Sequence, residues 1–294
     1  MRRFSRCRGQ ARWALLGAAC AVTALTASCA DMSVDSRAQG IVWQVDNATA
    51  NPSGDWHLLG VRELLVQWIV VDDTAFVPDT GLPTAANLPD WARIGREPWA
   101  RSVILGLAGD ADEKRARENV EKLARESARI SHIALPLHIA GYYFPVEVDP
   151  TWTDAPKLAA LLQTLPRPLW ISVYDRSNVG GQALADWLTA WLPRDVGVFF
   201  QDGCGVYARG PQVARAYLDV LAERLGPDRV RVIAEAFRPS EHGGFRAASA
   251  GELRAQLAAY RGYRAYLFDG PHYVSNELAR TLAPRAAARL GASP

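Results

Sequence analysis

The sequence predicts an α/β fold, a single (β/α)8 TIM barrel, and three observations carry that prediction. Eight short apolar runs rich in β-branched and aromatic residues recur between residues 40 and 269, helical stretches separate several of them, and no Pro- or Gly-rich linker divides the chain. Eight strand-and-helix units in about 250 residues is the length of such a barrel. The competing architecture, an open doubly wound sheet, loses its commonest ligand because no glycine-rich phosphate loop follows any run.

The first run is residues 40–46 (GIVWQVD) and the second 63–71 (ELLVQWIVV). Residues 72–98, with several prolines and Trp91, read as a long excursion over the barrel mouth. The third run, 102–107 (SVILGL), precedes a charged amphipathic helix over about 112–128. The fourth, 141–149 (GYYFPVEVD), contains Pro145, which cannot donate to a ladder. The fifth, 168–174 (PLWISVY), leads through Gly180 and Gly181 into the helix QALADWLTAWL. The sixth, 196–201 (VGVFFQ), precedes a helix near 212–224; the seventh, 230–236 (VRVIAEA), precedes one over about 250–260; the eighth, 264–269 (RAYLFD), precedes a last helix from Ser275.

The leader explains the apparent basicity. Lys and Arg number 33 against 31 Asp and Glu, but Arg2, Arg3, Arg6, Arg8 and Arg12 all precede the first acid, Asp31, and the rest of the chain is mildly acidic. Without a basic stripe, nucleic acid is not an expected partner. Residues 13–28 (WALLGAACAVTALTAS) form an apolar run ending in small residues before Cys29, the pattern of a secretory signal peptide. Leu25-Thr26-Ala27-Ser28-Cys29 resembles a bacterial lipobox, with Thr26 where Leu is usual. The expected organisation is therefore a leader over 1–29 with Cys29 lipidated, a linker over 30–39 and the barrel over 40–290. That resemblance, with Ala30 in second place, implies an outer-membrane lipoprotein facing the periplasm; plain secretion with cleavage near Ala30 is the alternative. A membrane is then a partner only through the lipid. Beyond the leader Cys204 stands alone, so no internal disulfide is expected.

Active sites of such barrels lie at the C-terminal ends of the strands. Gln44 and Asp46 end the first run, Gln67 and Trp68 lie in the second, Glu147 and Asp149 end the fourth, Tyr174 and Asp175 follow the fifth, and Gln201 and Asp202 the sixth. Glu235 ends the seventh, and Asp269 the eighth, with His272 just beyond. Alternation sets Tyr143, Glu147 and Asp149 on one face. A carboxyl pointing into a mouth beside aromatics is desolvated, and its pKa rises toward that of a general acid. Glu147 and Glu235, on well-separated strands, are the candidate pair for glycosidic bond hydrolysis, with Asp202 as a tuning residue or as the second carboxylate in place of Glu235. Gln44, Asp46, Gln67, Trp68, Tyr143, Asp149, Tyr174, Asp175, Gln201, Asp269 and His272 are the candidate sugar-binding residues. Trp43, Trp91 and Trp99 join Trp68 and Tyr174 as possible pyranose platforms, whereas Trp170, Trp187 and Trp191 read as packing residues.

Other chemistries find less support. The five histidines show no HExxH and no Cys partners at zinc spacing, GxSxG is absent, and Cys204 has no base near it in sequence and reads as a packing residue. No cofactor or metal is expected.

The ordered motifs GIVWQVD, LLVQW, GYYFPVEVD, ISVYDRSN and FFQDGCG resemble a bacterial domain-of-unknown-function family of the TIM-barrel glycoside hydrolase clan, over about residues 40–275. Gly141-Tyr142-Tyr143 stands for its GWY, Glu147 for the acid of its fourth strand and Gln201-Asp202-Gly203 for its QDG; Tyr142 replaces the usual Trp, and Val146 the Asn that often precedes the acid. The resemblance implies a carbohydrate-active barrel with Glu147 as acid/base and Glu235 as nucleophile. The expected function is hydrolysis of an extracellular or envelope polysaccharide, with exopolysaccharide synthesis or export machinery as a possible partner. The alternatives are a non-catalytic polysaccharide-binding or export lipoprotein and a metal-dependent polysaccharide deacetylase.

Overall fold

Eight parallel strands, one from each predicted run, close into a barrel in the computed structural model, which describes residues 37–284. They are β1 Gly40–Trp43, β2 Glu63–Val66, β3 Ser102–Gly106, β4 Ile139–Val148, β5 Leu169–Val173, β6 Val196–Gln201, β7 Val230–Glu235 and β8 Ala265–Phe268. Each strand pairs with its sequence neighbours, and β8 returns to β1 with Gly40 opposite Tyr266. The expected leader, its Cys29 and most of the linker lie outside the described residues.

Strand alternation divides the side chains cleanly. Val42, Leu65, Ile104, Tyr143, Trp170, Phe199, Ile233 and Tyr266, one per strand, pack together inside the barrel. Trp43, Val66, Leu105, Phe144, Ile171, Phe200, Ala234 and Leu267 face the outer core. The interior is a packed layer in which glycines make room for rings. A Cβ on Gly197 would stand 2.2 Å from the Trp170 ring, and one on Gly40 2.2 Å from Tyr266. Beneath that layer, at the N-terminal end, Arg231 stacks 4.0 Å over the Trp170 ring and bonds Glu63 at 3.2 Å.

The helices are α1 Glu113–Glu118, α2 Val120–Ile130, α3 Leu158–Gln163, α4 Gly181–Trp191, α5 Pro211–Leu225, α6 Ala250–Ala259 and α7 Asn276–Leu282. The predicted helix over 112–128 breaks at Asn119. After β1 and β2 the chain forms only the 3-10 turn Trp56–Leu59 and the single helical turn Trp91–Ile94, and tryptophans cover the barrel there instead. Trp43 packs on Trp91 at 5.6 Å and Trp56 on Trp99 at 4.8 Å. Trp43, Trp91 and Trp99 are thus core residues and not sugar platforms, because two missing helices leave an apolar barrel face that only large side chains can cover. Trp170 fills the barrel and Trp187 stacks edge-on against Trp191 on α4, as packing residues do.

Two runs end earlier than their composition suggests. Residues 44–46 leave β1 because Asp46 accepts the N–H and hydroxyl of Thr49 in a turn. The second run splits after Val66; Val70–Val71 pairs with Thr74–Ala75 and Ala108–Gly109 in a small sheet, so the 72–98 excursion is anchored at its start. In β4 the register steps from Phe144 opposite Ile171 to Glu147 opposite Ser172, a bulge at Pro145 and Val146 where the ladder has no proline donor to use.

Candidate active site

The C-terminal strand ends place Gln44, Gln67, Glu147, Ser172, Gln201 and Phe268 around a cavity of about 170 Å³, with Val42, Leu65, Tyr143 and Ile233 from the interior layer as its floor. Gln44, Trp68, Ala111 and Phe268 also line a wider vestibule of about 630 Å³, whose far wall carries Phe237, Phe245, Tyr273, Asp46 and His272.

Alternation sets Glu147 on the same side as Tyr143 and Pro145, facing this cavity, and the bulge in β4, which adds two residues, carries it opposite Ser172 without changing that face. Gln201 Nε2 donates to Glu147 Oε2, and Arg117 holds the backbone carbonyl of Glu147 at 3.1 Å. Burial, followed by the charge of Glu113, pushes the Glu147 carboxyl up to about 7. Glu113 is itself bound by Arg117 and Arg176.

Glu235 is the last residue of β7 and is only 5% exposed. It stands in register with Phe268, one layer above Ile233 and Tyr266, so alternation sets both on the inner side of the barrel; Phe268 lines the cavity, whereas Glu235 lies behind its lining. Glu235 Oε2 accepts the Gly205 N–H at 2.6 Å. A Cβ on Gly205 would lie 2.7 Å from that oxygen and 2.5 Å from the Phe237 ring, so the close approach requires glycine. Burial, then the charge of Asp202, raises Glu235 to about 8.

Asp202 is fully buried behind Glu235 and does not line the cavity. It accepts the Tyr260 hydroxyl at 2.7 Å, the Cys204 N–H at 3.1 Å, the Glu235 N–H at 3.3 Å and Gln256 Nε2. Burial raises this carboxyl above its ordinary value, while the four donors work in the opposite direction. Gln256 also reaches the Glu235 carbonyl at 3.3 Å and accepts from Arg238 at 2.7 Å. Sequence reasoning missed Gln256, Tyr260 and Gly205, because nothing in a helix face or a QDGCG motif marks which strand end it will meet. Cys204 packs under this network with its sulfur 3.6 Å from the Tyr260 hydroxyl, and burial pushes its thiol up, away from nucleophilic chemistry.

Several candidates take other places. Asp149 does not follow the alternation: β4 ends at Val148, and Asp149 turns to accept from Thr151 and from the Arg176 N–H. Asp175 is buried under Tyr217 and the Gly180 N–H, where it holds the loop to α4. Tyr174 lies outside the cavity lining beneath Arg209, which also bonds Gln201 O at 3.3 Å and Asn178 Oδ1 at 2.9 Å; this arginine was another residue the sequence left unmarked. Asp269 is 1% exposed, accepts the Gln44 N–H at 3.2 Å and orients His272 through Nδ1 at 2.9 Å. Burial pulls the His272 imidazole down, and its bond to Asp269 more than offsets this, holding it above its ordinary value. His272 Nε2 then meets Asp46 at 3.2 Å on the vestibule wall. Gln44, Gln67, Trp68, Tyr143, Glu147 and Gln201 therefore share the inner cavity, Asp46 and His272 the vestibule, and Asp149, Asp175, Asp202 and Asp269 brace the loops around them. Among the described residues no group of three or more His, Cys, Asp or Glu side chains is arranged to hold a metal ion.

No protein-family model matches the chain, and no curated protein sequence does. Among solved structures it is similar to a crystal structure from Bacteroides thetaiotaomicron VPI-5482 named "putative alpha-L-fucosidase", with a TM-score of 0.57 and 16% sequence identity over 87% of this chain and 91% of that one. At that identity the likeness is one of fold: both chains build a barrel of the kind seen in glycoside hydrolases.

Proposed function

We propose that the chain is a glycoside hydrolase that cleaves an extracellular or envelope polysaccharide by carboxyl acid/base chemistry. The observation that carries this reading is the pair of inward-facing glutamates at the ends of β4 and β7, both held protonated to near neutral pH by burial and neighbouring charge. In this reading Glu147 gives its proton to the leaving glycosidic oxygen and later takes one from water. Glu235, once ionised, attacks the anomeric carbon or activates water. The Gly205 N–H stabilises the Glu235 carboxylate, while Asp202 repels it and so sets when it ionises. Gln44, Gln67 and Gln201 offer amides to the ring hydroxyls, and Trp68, Phe237, Phe245 and Tyr273 give the vestibule apolar faces that cover C–H surfaces of a sugar chain.

The test is release of new reducing ends from a panel of bacterial exopolysaccharides by the purified protein, beside Glu147→Gln and Glu235→Gln, with and without chelator. The expected outcome is cleavage that ignores the chelator and falls by about 10²–10⁴-fold in kcat for Glu147→Gln, with binding retained. Binding without cleavage in the wild-type protein would make it a polysaccharide-binding lipoprotein, and cleavage that survives in Glu147→Gln would remove Glu147 from the chemistry.

A further inference from the structure

The barrel's N-terminal face, opposite the candidate site, carries a charge pattern that hydrolysis at the mouth does not use. An arginine stands one to three residues before seven of the eight strands, and His138 stands before the other. The segments leading into the strands all lie at one end of a parallel barrel, so topology gathers these cations on one face. Three of the arginines, Arg62, Arg167 and Arg229, donate to backbone carbonyls of nearby loops. Arg62, Arg101, Arg194 and Arg264 are exposed. The side chains of Arg101, Arg194 and Arg264 make no hydrogen bond or ion pair among the described residues, and exposed Arg261 lies beside them. The acids of the same face are mostly paired: Asp195 with Arg167 at 2.7 Å, Glu97 with Arg93 at 2.7 Å and Glu63 with Arg231. Asp228 and Glu223 are the exposed exceptions.

This face is also grooved. Arg37, Gln39, His57, Arg62 and Tyr263 line a depression of about 530 Å³, and His57 Nδ1 is buried there with no hydrogen-bond partner. A basic groove with an orphaned imidazole nitrogen suits a phosphate oxygen. The chain leads into β1 from this same face, and Cys29, the expected lipidation position, precedes Arg37 by eight residues, a reach of about 28 Å at full extension.

We propose that the N-terminal face is a docking surface for an anionic lipid bilayer, with phosphate headgroups in the His57 groove and the strand-leading arginines against the membrane, so that the catalytic mouth points away from it. Anionic surfaces attract clustered Arg within a Debye length, and one acyl chain alone holds a protein only marginally, so a basic face supplies the second signal that stable anchoring needs.

The test uses the purified chain carrying Cys29→Ser, which cannot be acylated, and vesicle co-sedimentation on phosphatidylcholine alone and with phosphatidylglycerol. The expected result is binding at least about tenfold tighter to the anionic vesicles at low salt and lost at high salt. The combined variant Arg101→Glu, Arg194→Glu, Arg261→Glu and Arg264→Glu should lose it with an unchanged melting curve, and the milder Arg101→Gln with Arg264→Gln should weaken it severalfold. Charge reversal at the opposite end, Lys114→Glu with Arg246→Glu, should leave it intact. Equal partition onto neutral and anionic vesicles, or binding undiminished in the four-arginine variant, would overturn the proposal. Tighter binding to a soluble polyanion such as heparin than to the vesicles would overturn the assignment to lipid.

Discussion

Stability and chemistry ask opposite things of Glu147. Its carboxyl titrates near 4.5 in the unfolded chain and near 7 in the fold, so between those values the native state holds the extra proton. Stability is therefore fully present below about 4.5 and declines as pH rises through 7; Glu235 extends the decline toward 8. Glu147→Gln removes the penalty and should stabilise the protein at pH 8 by about 3 kcal/mol, roughly 6–12 °C in Tm, with little change at pH 4.5. Thermal melts of both proteins at the two pH values decide it, and an equal shift at both would refute the linkage. Activity that needs Glu147 protonated and Glu235 ionised should peak between about 7 and about 8 and fall on either side. The two glutamates were legible in the sequence because each ends an apolar run. Gly205, Gln256, Tyr260 and Arg209 were not, since the contacts that join Gly205 to Glu235, Gln256 and Tyr260 to Asp202, and Arg209 to Asp175 span 30 residues or more and depend on which helix lands behind which strand.

At the scale of elements, the barrel depends on where it is empty as much as on where it is full. Gly197→Ala would push a methyl into the Trp170 ring and should cost about 1–3 kcal/mol by overpacking. Combining it with Trp170→Leu should recover part of that loss, which a double-mutant cycle in denaturant would measure; strictly additive effects would mean that the two do not touch. The hairpin formed by Phe237–Pro239 and Phe245–Ala247 is a second element with a separable role. Phe245 is half exposed on it and faces the vestibule, so Phe245→Ala should raise KM severalfold while leaving kcat and Tm nearly unchanged. All eight strands were legible because a buried parallel strand reads as a continuous apolar run. The missing helices after β1 and β2 were not, for a long polar loop and an amphipathic segment differ little until the tryptophans that replace the helix are seen packing. Pro145 did mark its bulge.

For the whole molecule, counting strand units was enough to foresee closure of the barrel, while the split of charge between its two ends became visible only when the strand-leading segments were gathered on one face. Cys204 is the free thiol of the described residues and lies 4% exposed beneath the Asp202–Glu235 network. In protein processed after the leader, a thiol reagent should therefore label Cys204 no faster than the barrel opens, and Tm should be indifferent to reductant. Rapid labelling under native conditions would show that the region behind Glu235 breathes independently.

The ring of Tyr143, Trp170, Phe199 and Tyr266 inside the barrel makes the inner cavity a blind alley. In the proposed hydrolysis, a cleaved fragment would have no rear exit and would have to back out through the vestibule by which the polymer came in. Under that reading clearance of the outer chamber would pace turnover, and the fragment released last should act as a competitive inhibitor of the next encounter.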